Sequence, residues 1–437
     1  MIIFLNKSYI LFNYIICGIY NFLIYSKYLI YFNLFLFFIN INIIYYKLNN
    51  NLNSNLIFLL NWSINLNGCI LIKFIQWIFS NYKLTKSQEE NNIFKIFYKF
   101  YEHCDTHNLK YTKKIFKKEY HKEFDDYFLI DSNTSIKSGS IAQVYKCYLK
   151  QDFYNYYKDQ TIAFKIVHPE VVYQMYFPLK FIKLLYFCIR NINFLNKYDL
   201  PFDTNKFLTG ITKQIDLNNE FNNIKNFYEY HKNNSCIIIP EPITSSKSIL
   251  IMQYVEGKYL SDIDLSFYYK QKIITFLSLF IKYCYYFSDI IHCDLHDANW
   301  KVVESNGEYK IVIYDFGYVI ENNDNIKNFL KNLIYNTDFG NKKEVGEIIY
   351  SLLEKPTIFN NFENFYSEYL SVCETCSYYG DDLLETIYKY SLKKKLKFSN
   401  PVIFELIMSI LLIREYLQKY LFNNKTIMEF KKKDSKE

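Results

Sequence analysis

The sequence predicts an α+β fold with two lobes, preceded by a helical extension and a hydrophobic leader. Its 437 residues suffice for two lobes that each bury a core, with length left for an extension. Short apolar runs, at residues 161–167 and at 248–257 with a turn marked by Gly257, read as strands of an N-terminal lobe. The stretch after residue 257 reads as mostly helical. A sheet-containing lobe followed by a helical lobe is therefore expected.

The predicted domain boundaries follow these patterns. Residues 1–50 form the hydrophobic leader, and residues 51–130 form the mostly helical extension. The N-lobe covers residues 131–256, and the helical C-lobe covers residues 257–437. No internal repeat is evident in the sequence.

The leader contains two long stretches without a charged residue. Nineteen uncharged residues separate Lys7 from Lys27, and nineteen more separate Lys27 from Lys47. Each stretch would be roughly 28 Å long as a helix, which is about one bilayer span. We therefore expect at least one membrane span, and two spans joined as a hairpin near Lys27 are one arrangement. A cleaved targeting segment and a buried helical extension are the alternatives.

Residues 292–299 and the D-F-G sequence at 315–317 form the most informative motif. Asn299 lies five residues after Asp294, as in the kinase catalytic loop H-R-D-x-x-x-x-N, and Asp315 follows an apolar run. A β hairpin would carry this loop and Asp315 to the same edge. In phosphoryl transfer an Asp and an Asn hold Mg²⁺, while a second Asp orients or deprotonates the acceptor. The sequence thus predicts a bilobal, protein-kinase-like fold with Asn299 and Asp315 as metal ligands and Asp294 as a catalytic residue.

A second D-F-G sequence occurs at residues 338–340. It follows Thr337 and its polar neighbours rather than an apolar strand. Because a motif needs its structural context, we interpret this copy as a turn that links two helices.

Lys165 and Glu220 are predicted to form a catalytic ion pair. Lys165 lies in a short apolar strand similar to the V-A-I-K element, whose lysine contacts the α- and β-phosphates. Glu220 ends a helical run that starts at Lys213, so it could aim the Lys165 ammonium group. The alternatives are a lysine that reaches solvent from an edge strand and a solvated helix glutamate.

Four residues near position 140 are predicted to contact the nucleotide. Compared with the glycine-rich loop G-x-G-x-x-G-x-V, this segment keeps only Gly139 and Val144. With fewer glycines the loop has less conformational freedom, so Ser138 and Ser140 are expected to share the phosphate contacts. Met252, at the end of a predicted strand near the hinge, is a candidate neighbour of the adenine base, or else apolar filler.

Together these motifs resemble the UbiB family of atypical kinases, the aarF-domain-containing group, over residues 65–420. The family's loop sequence S-I-A-Q-V is matched at residues 140–144, and its H-x-D-x-H-x-x-N is matched at residues 292–299. Its K-x-G-Q element is similar to the segment with Lys73 and Gln76. Its E-x-D segment is matched by residues 214–216, with Glu220 four residues later.

The resemblance implies Mg²⁺-dependent binding of ATP or ADP. It also implies ATPase activity, or kinase activity on a small or lipid-linked acceptor, in support of quinone or lipid metabolism. In the family, the extension carrying Lys73 and Gln76 covers the nucleotide pocket and limits access for protein substrates. Ile75 replaces the family's glycine there, and Gln214 replaces an acidic residue.

Composition restricts the partners and the compartment. The net charge of +7 is spread over lysine clusters, and the absence of any RNA-binding signature argues against nucleic acid as a partner. The lysine clusters and the leader favour membrane lipids as partners. Ten scattered cysteines in apolar contexts indicate a kinase domain in a reducing compartment. Cys373 and Cys376 form a lone C-x-x-C, which we do not expect to bind zinc.

Two other functions remain open from the sequence. One is a small-molecule phosphotransferase of the aminoglycoside or choline kinase type, which also uses H-x-D-x-x-x-x-N. The other is a catalytically silent, nucleotide-binding scaffold on a membrane. Loss of the Asp294 carboxylate would abolish phosphoryl transfer by a UbiB-type enzyme or by a small-molecule phosphotransferase. A scaffold would keep its biological role.

Overall fold

A computed structural model describes residues 2–69, 71–73, 106–130, 137–154, 156, 160–169, 171, 179–184, 187, 210, 212–305, 307–354, 359, 361–373, 390, 391, 394, 396, 398 and 406. The chain forms two compact units. The first contains the described parts of Met1–Tyr111, Lys137–Gln143 and Val167–Tyr198. The second contains those of Thr112–Ile136, Val144–Ile166 and Asp199–Glu437. The predicted domain boundaries stay a prediction.

The described residues contain runs of helices and runs of mostly antiparallel strands, which confirms the α+β class. The α-helices are α1 (Ile2–Asn49), α2 (Ser54–Asn67), α3 (Leu109–Tyr120), α4 (Phe124–Tyr127), α5 (Leu217–His231), α6 (Phe267–Tyr286), α7 (Asp324–Asp338), α8 (Lys342–Leu352) and α9 (Phe362–Cys373). The strands are β1 (Phe128–Ile130), β2 (Lys137–Ser138), β3 (Ala142–Leu149), β4 (Thr161–Val167), β5 (Ile237–Ile238), β6 (Pro242–Ser245), β7 (Ile249–Gln253), β8 (Ile290–His292), β9 (Trp300–Ser305), β10 (Glu308–Ile313) and β11 (Val319–Glu321).

In the first unit, helix α1 is continuous from Ile2 to Asn49. It passes through Lys27 without a break, so the alternative of two spans joined near Lys27 is wrong. The physical reason is that lysine is itself a good helix former and that no proline lies near it to end the helix. Helix α2 then begins after Asn53, whose side chain accepts hydrogen bonds from the backbone N–H groups of Asn55 and Leu56.

One face of α1 is buried within the first unit. Tyr28, Phe32 and Phe35 are buried, and the Phe32 ring stacks on Phe181 with 5.6 Å between centroids. The side-chain amide of Asn67 in α2 donates to the Tyr31 carbonyl of α1 at 2.9 Å. Helices α1 and α2 therefore pack against each other through apolar contacts and polar bridges.

In the second unit, five strands pair in the order β1-β3-β4-β7-β6. Strand β4 has the bounds expected from the sequence, and it pairs antiparallel with β7 so that Lys165 lies opposite Leu250. Strand β3 lies along the other edge of β4, so both edges of β4 are paired. Lys165 therefore projects from a central strand, which excludes the alternative of an edge-strand lysine.

A cluster of phenylalanines forms the core beneath this sheet. The rings lie edge to face, for example Phe116 and Phe124 at 5.7 Å and Phe124 and Phe164 at 5.3 Å between centroids. Such geometry adds to the free energy gained by burying the rings. The fully buried members are Phe116, Phe124, Phe128, Phe153 and Phe164.

Strands β9 and β10 form the hairpin that the sequence predicts after the catalytic loop. Trp300 lies opposite Ile313 in the antiparallel register, so Asn299 and Tyr314 meet at the open end. The backbone N–H of Tyr314 donates to the Asn299 carbonyl at 3.0 Å. The hairpin therefore carries the catalytic loop and the D-F-G segment to one edge.

The second D-F-G sequence is a turn between helices, as predicted. Helix α7 ends at Asp338, and helix α8 begins at Lys342. Between them Gly340 has a φ of +68°, the left-handed conformation that favours glycine after a helix.

Candidate active site

Lys165 and Glu220 form the predicted ion pair. The Lys165 Nζ lies 2.7 and 2.8 Å from the two carboxylate oxygens of Glu220. It also lies 3.4 Å from Asp315 Oδ2. The Glu220 side chain is only 3% exposed, so the alternative of a solvated helix charge is excluded. Strand β4, helix α5 and the D-F-G segment thus meet at one ammonium group.

The charge of this lysine is stabilised by its neighbours. Burial lowers the pKa of Lys165, but the attraction of the Asp315 and Glu220 carboxylates outweighs that effect and raises the pKa. Lys165 is therefore cationic at every pH at which the protein is expected to work.

Helix α5 begins later than the predicted helical run. Residues 214 and 215 form a turn, and Asp216 is the N-cap, with its side chain accepting from the Asn218 backbone N–H at 3.1 Å. The run from Lys213 is therefore interrupted, because the aspartate satisfies a free N–H of the helix start. The cap fixes the start of α5 one turn before Glu220.

The D-F-G segment is held by a buried phenylalanine. Phe316 is fully buried, and its ring lies 4.9 Å from the Phe227 ring and 5.2 Å from the His292 ring. The Asp315 side chain remains 43% exposed, and its Oδ1 accepts from the Gly317 backbone N–H at 2.9 Å. The aspartate is thus anchored by its neighbours while its carboxylate stays accessible.

His292 ties the catalytic loop to this aspartate. Its Nδ1 accepts from the Asp294 backbone N–H at 3.3 Å, so its Nε2 carries the proton and donates to the Asp315 carbonyl at 2.5 Å. Burial lowers the pKa of His292, which outweighs the opposing effect of the bond to Asp315. A neutral imidazole in this tautomer positions the loop and has no proton to transfer to a substrate.

Asn299 is oriented by the same loop. Its Nδ2 donates to the Asp294 carbonyl at 2.8 Å and lies 3.2 Å from His296 Nε2. Within the described part of the chain, the Oδ1 of this buried asparagine makes no hydrogen bond. Asp294 itself has a side chain that is 37% exposed, with one carboxylate oxygen 3.8 Å from His296 Nε2.

The donor set fits Mg²⁺. Asp315 offers an accessible carboxylate, and Asn299 offers an amide oxygen that no hydrogen bond uses among the described residues. Hard oxygen ligands of this type, few in number, are what Mg²⁺ takes beside substrate phosphates. The predicted ligands Asn299 and Asp315 therefore have suitable chemistry.

The predicted phosphate loop is described mostly within the first unit. His168 Nε2 donates to the Gly139 carbonyl at 3.0 Å and lies 3.4 Å from Ser138 Oγ. The hydroxyl of buried Ser140 has no hydrogen-bond partner among the described residues. A buried, unpaired hydroxyl at this position suits a group that contacts a ligand. Nucleotide contact by Ser138, Gly139 and Ser140 stays a prediction.

Of the two other predicted nucleotide contacts, Val144 is half-buried on β3. Met252 is buried on β7, opposite Ala163 of β4. In the predicted regulatory extension, Lys73 is half-buried in a helical segment, while Ile75 and Gln76 lie outside the described residues. Cys376, of the lone C-x-x-C, also lies outside them. These roles stay predictions.

Sequence reasoning missed two features next to the site. Asn223, on the face of α5 that carries Glu220, donates to the Phe316 carbonyl at 2.9 Å. Helical spacing from Glu220 was a usable signal for it. Gly257 packs so closely that an added Cβ would lie 2.9 Å from the Tyr314 hydroxyl and 2.8 Å from Lys301 Cβ. No sequence signal reports that approach.

His107 was missed as well, and it supports the phosphate loop within the first unit. Its Nδ1 lies 2.9 Å from His168 Nδ1, and Gln143 brackets its backbone N–H and carbonyl. Burial, with a smaller effect of His168, lowers the pKa of His107 to about 3. A neutral His107 can therefore donate a hydrogen bond from Nδ1 to the Nδ1 of His168. The Nε2 of His168 in turn donates to the Gly139 carbonyl.

A protein-family comparison matches the central part of the chain. The ABC1 model, described as an ABC1 atypical kinase-like domain, matches residues 99–349. That is more than half of the 437 residues and includes Lys165, Glu220, the catalytic loop and the D-F-G segment. The match begins after the K-x-G-Q-like segment and does not test it.

Curated relatives and solved structures show distant similarity. The chain is 27% identical over 267 residues to "ABC1 family protein MCP2" of Saccharomyces cerevisiae, covering 57% of this chain and 45% of that protein. It is 22% identical over 219 residues to "AarF domain-containing protein kinase 1" of Mus musculus, covering 48% and 40%. The matched region is thus under half the length of each relative. The structure of the Rv3197–erythromycin complex from Mycobacterium tuberculosis is 16% identical, with a TM-score of 0.45, over 71% of this chain and 82% of that one.

Proposed function

The chain belongs to the ABC1 atypical kinase-like family, and on that premise we propose that it is a Mg²⁺-dependent kinase or ATPase. Membership confirms the predicted kinase-like fold and the resemblance to UbiB-type proteins. In this proposal the chain binds ATP and transfers a phosphoryl group to water or to a small or lipid-linked acceptor. The observation that carries it is that the carboxylates of Glu220 and Asp315 both lie within 3.4 Å of the Lys165 ammonium group.

Each residue has a role in this proposal. Lys165, aimed by Glu220, contacts the α- and β-phosphates. Asp315 and Asn299 hold Mg²⁺, which neutralises phosphate charge when bound. Asp294 orients the acceptor hydroxyl or water, and the hydrogen bonds of His292 keep Asp294 and Asp315 in register. The support for a quinone or lipid role is the family resemblance alone.

Thermal stabilisation tests the nucleotide pocket. We expect ATP or ADP with Mg²⁺ at about 100 times its Kd to stabilise the full-length chain by about 2.7 kcal/mol, a Tm rise of about 3–5 °C. Lys165→Ala and Asp315→Asn should lose the Mg²⁺-dependent rise, while Lys247→Ala, at an exposed position, should keep it. A well-folded wild type without any rise would contradict the proposal and favour a membrane scaffold.

We further propose that α1 places the protein in a lipid bilayer. Among the described residues, the part of α1 at Ile19–Asn49 is the one helix long and apolar enough to cross a membrane. Its exposed face lies opposite the buried Tyr28, Phe32 and Phe35. Exposed apolar patches of this extent are rare on soluble monomers. The exposed apolar residues of this face include Ile19, Phe22, Leu23, Ile30, Phe37, Ile44 and Leu48.

The asparagines of α1 are compatible with lipid. The side-chain amides of Asn33 and Asn40 donate to the carbonyls of Leu29 and Leu36 at 2.8 and 2.7 Å. One N–H of each amide is thus paired within the helix, which lowers the cost of placing these side chains in hydrocarbon. The second N–H and the carbonyl oxygen of each amide still add to that cost.

Lysine substitutions on the apolar face test this proposal. Ile30→Lys with Phe37→Lys should weaken binding to phosphatidylcholine vesicles at least 50-fold in a flotation assay, since each buried lysine costs about 2.5–3.5 kcal/mol. Asn222→Lys with Asn226→Lys, at exposed positions of α5, should float like the wild type. A wild type that stays soluble without detergent and does not float would refute a bilayer anchor.

The cysteines support placing the kinase domain in a reducing compartment. Cys147 and Cys284, in the core of the second unit, are free thiols. Burial raises the pKa of both thiols, which keeps them protonated and unreactive. Free core thiols are ordinary in reducing compartments.

A further inference from the structure

Helix α5 carries Asn223 between the partner of Lys165 and a ring that packs on the D-F-G segment. Glu220, Asn223 and Phe227 are three and four residues apart, so they share one face of the helix. Glu220 is the partner of Lys165, and Phe227 packs on the Phe316 ring. Asn223 lies between them, and neither the predicted motif nor the proposed function uses it.

Two of these helix residues hold two different parts of Phe316. Asn223 Nδ2 donates to the Phe316 carbonyl at 2.9 Å. The Phe227 ring lies 4.9 Å from the Phe316 ring. Phe316 is therefore held at its carbonyl and its side chain by two residues about one turn apart on α5.

The carbonyl bonded by Asn223 belongs to the peptide that joins Phe316 to Gly317. The N–H of that same peptide donates to Asp315 Oδ1 at 2.9 Å. A peptide unit is planar, so the direction of its carbonyl sets the direction of its N–H. The hydrogen bond of Asn223 thus fixes the donor that orients the Asp315 carboxylate.

The preceding peptide is held independently. His292 Nε2 donates to the Asp315 carbonyl at 2.5 Å, which holds the peptide that joins Asp315 to Phe316. Phe316 therefore lies between two peptides, of which the first is bonded at its carbonyl and the second at both ends. Loss of Asn223 would free the carbonyl end of the second peptide and leave the first one in place.

We propose that Asn223 is a positioning residue for the metal-binding carboxylate of Asp315. It acts through the Phe316–Gly317 peptide, which keeps Oδ1 on the Gly317 N–H while Oδ2 faces Lys165. The proposal rests on the proposed function for its metal, but its hydrogen-bond link can be measured without nucleotide. Asn223 is a cleaner probe than Glu220, because Glu220 also pairs with Lys165.

The experiment uses the full-length chain in detergent with two variants and one control. Asn223→Ala removes the donor, and Asn223→Asp keeps the shape but places an acceptor against the Phe316 carbonyl. Asn222→Ala is the control, since Asn222 is an exposed asparagine on the next position of the same helix. Hydrogen exchange without nucleotide should show the Gly317 amide about three- to tenfold faster in both Asn223 variants, the expected effect of one lost hydrogen bond.

The second measurement is a Mg²⁺ titration of ADP binding. In both Asn223 variants, half-saturation should need about three- to tenfold more Mg²⁺, while metal-free ADP binding stays within twofold of wild type. A merely structural role would weaken ADP binding with and without metal alike, and that result would overturn the proposal. Exchange and titration curves equal to those of Asn222→Ala would overturn it as well.

The two proposals fail in different ways. A wild type that binds no ADP at any Mg²⁺ concentration would refute the proposed function, and the metal role of Asn223 with it. A wild type that binds ADP with Mg²⁺, together with unchanged Gly317 exchange in Asn223→Ala, would refute the positioning link alone.

Discussion

Asp294→Asn is expected to lower the phosphoryl-transfer rate by about 10²–10⁴-fold, the usual contribution of a positioned acid–base group. The carboxylate is accessible at the surface, and its backbone N–H is bonded to His292. An asparagine has the same shape, so the loop and the backbone bonds should persist. Nucleotide and Mg²⁺ should therefore bind as in the wild type, because Lys165, Asn299 and Asp315 are unchanged.

The measurement is ADP release from ATP in the presence of detergent or phosphatidylcholine vesicles, with the Tm rise recorded on the same samples. Asp289→Asn is the matched control, since this exposed aspartate pairs with Lys327 at 2.7 Å on the surface. It should keep full turnover. Equal turnover in Asp294→Asn and wild type would contradict the catalytic assignment, and a biological role retained without Asp294 would favour the scaffold.

The strands and the hairpin around the site were predictable because their signal is local. Strand β4 has the expected bounds, and the β9–β10 hairpin joins the catalytic loop to the D-F-G segment. The turn at Gly340 was predictable because no apolar strand sequence precedes the second D-F-G sequence. Apolar runs bounded by turn residues specify such elements without knowledge of the rest of the chain.

The core and the bonds behind the site were not predictable in the same way. The chain has 40 phenylalanines, so nothing in the sequence marks Phe116 or Phe164 as core. Asn223 is one of many asparagines, and its bond to Phe316 joins residues 93 positions apart. Only the fold identifies which copies of a common residue meet. Likewise, Lys27 looked like a boundary, but the backbone continues through it as helix.

Glu220→Ala is expected to destabilise the second unit by about 3 kcal/mol. Removing one partner of a buried ion pair typically costs about 3–5 kcal/mol, because the other charge is left buried. We expect the lower end of that range because Asp315 remains 3.4 Å from Lys165 and compensates part of its charge. Urea unfolding followed by tryptophan fluorescence would measure the change.

Glu229→Ala is the matched control for that loss. Glu229 is on the same helix and pairs with Lys232 at 2.6 Å, but both side chains are about half exposed. Such surface pairs contribute about 0–1 kcal/mol, so this variant should unfold nearly like the wild type. Equal stability of Glu220→Ala and Glu229→Ala would contradict the buried pair.

A double variant separates stability from function. Lys165→Met with Glu220→Leu removes both charges, and replacing a buried pair by apolar side chains is often neutral or stabilising. We expect it to recover most of the stability lost in Glu220→Ala while failing to bind nucleotide. That outcome would mean that the pair is kept for its ammonium group, which must lie beside Asp315 for phosphate binding. If instead the double variant unfolds as readily as Glu220→Ala, the pair holds β4 and α5 together and its charge is needed for the fold itself.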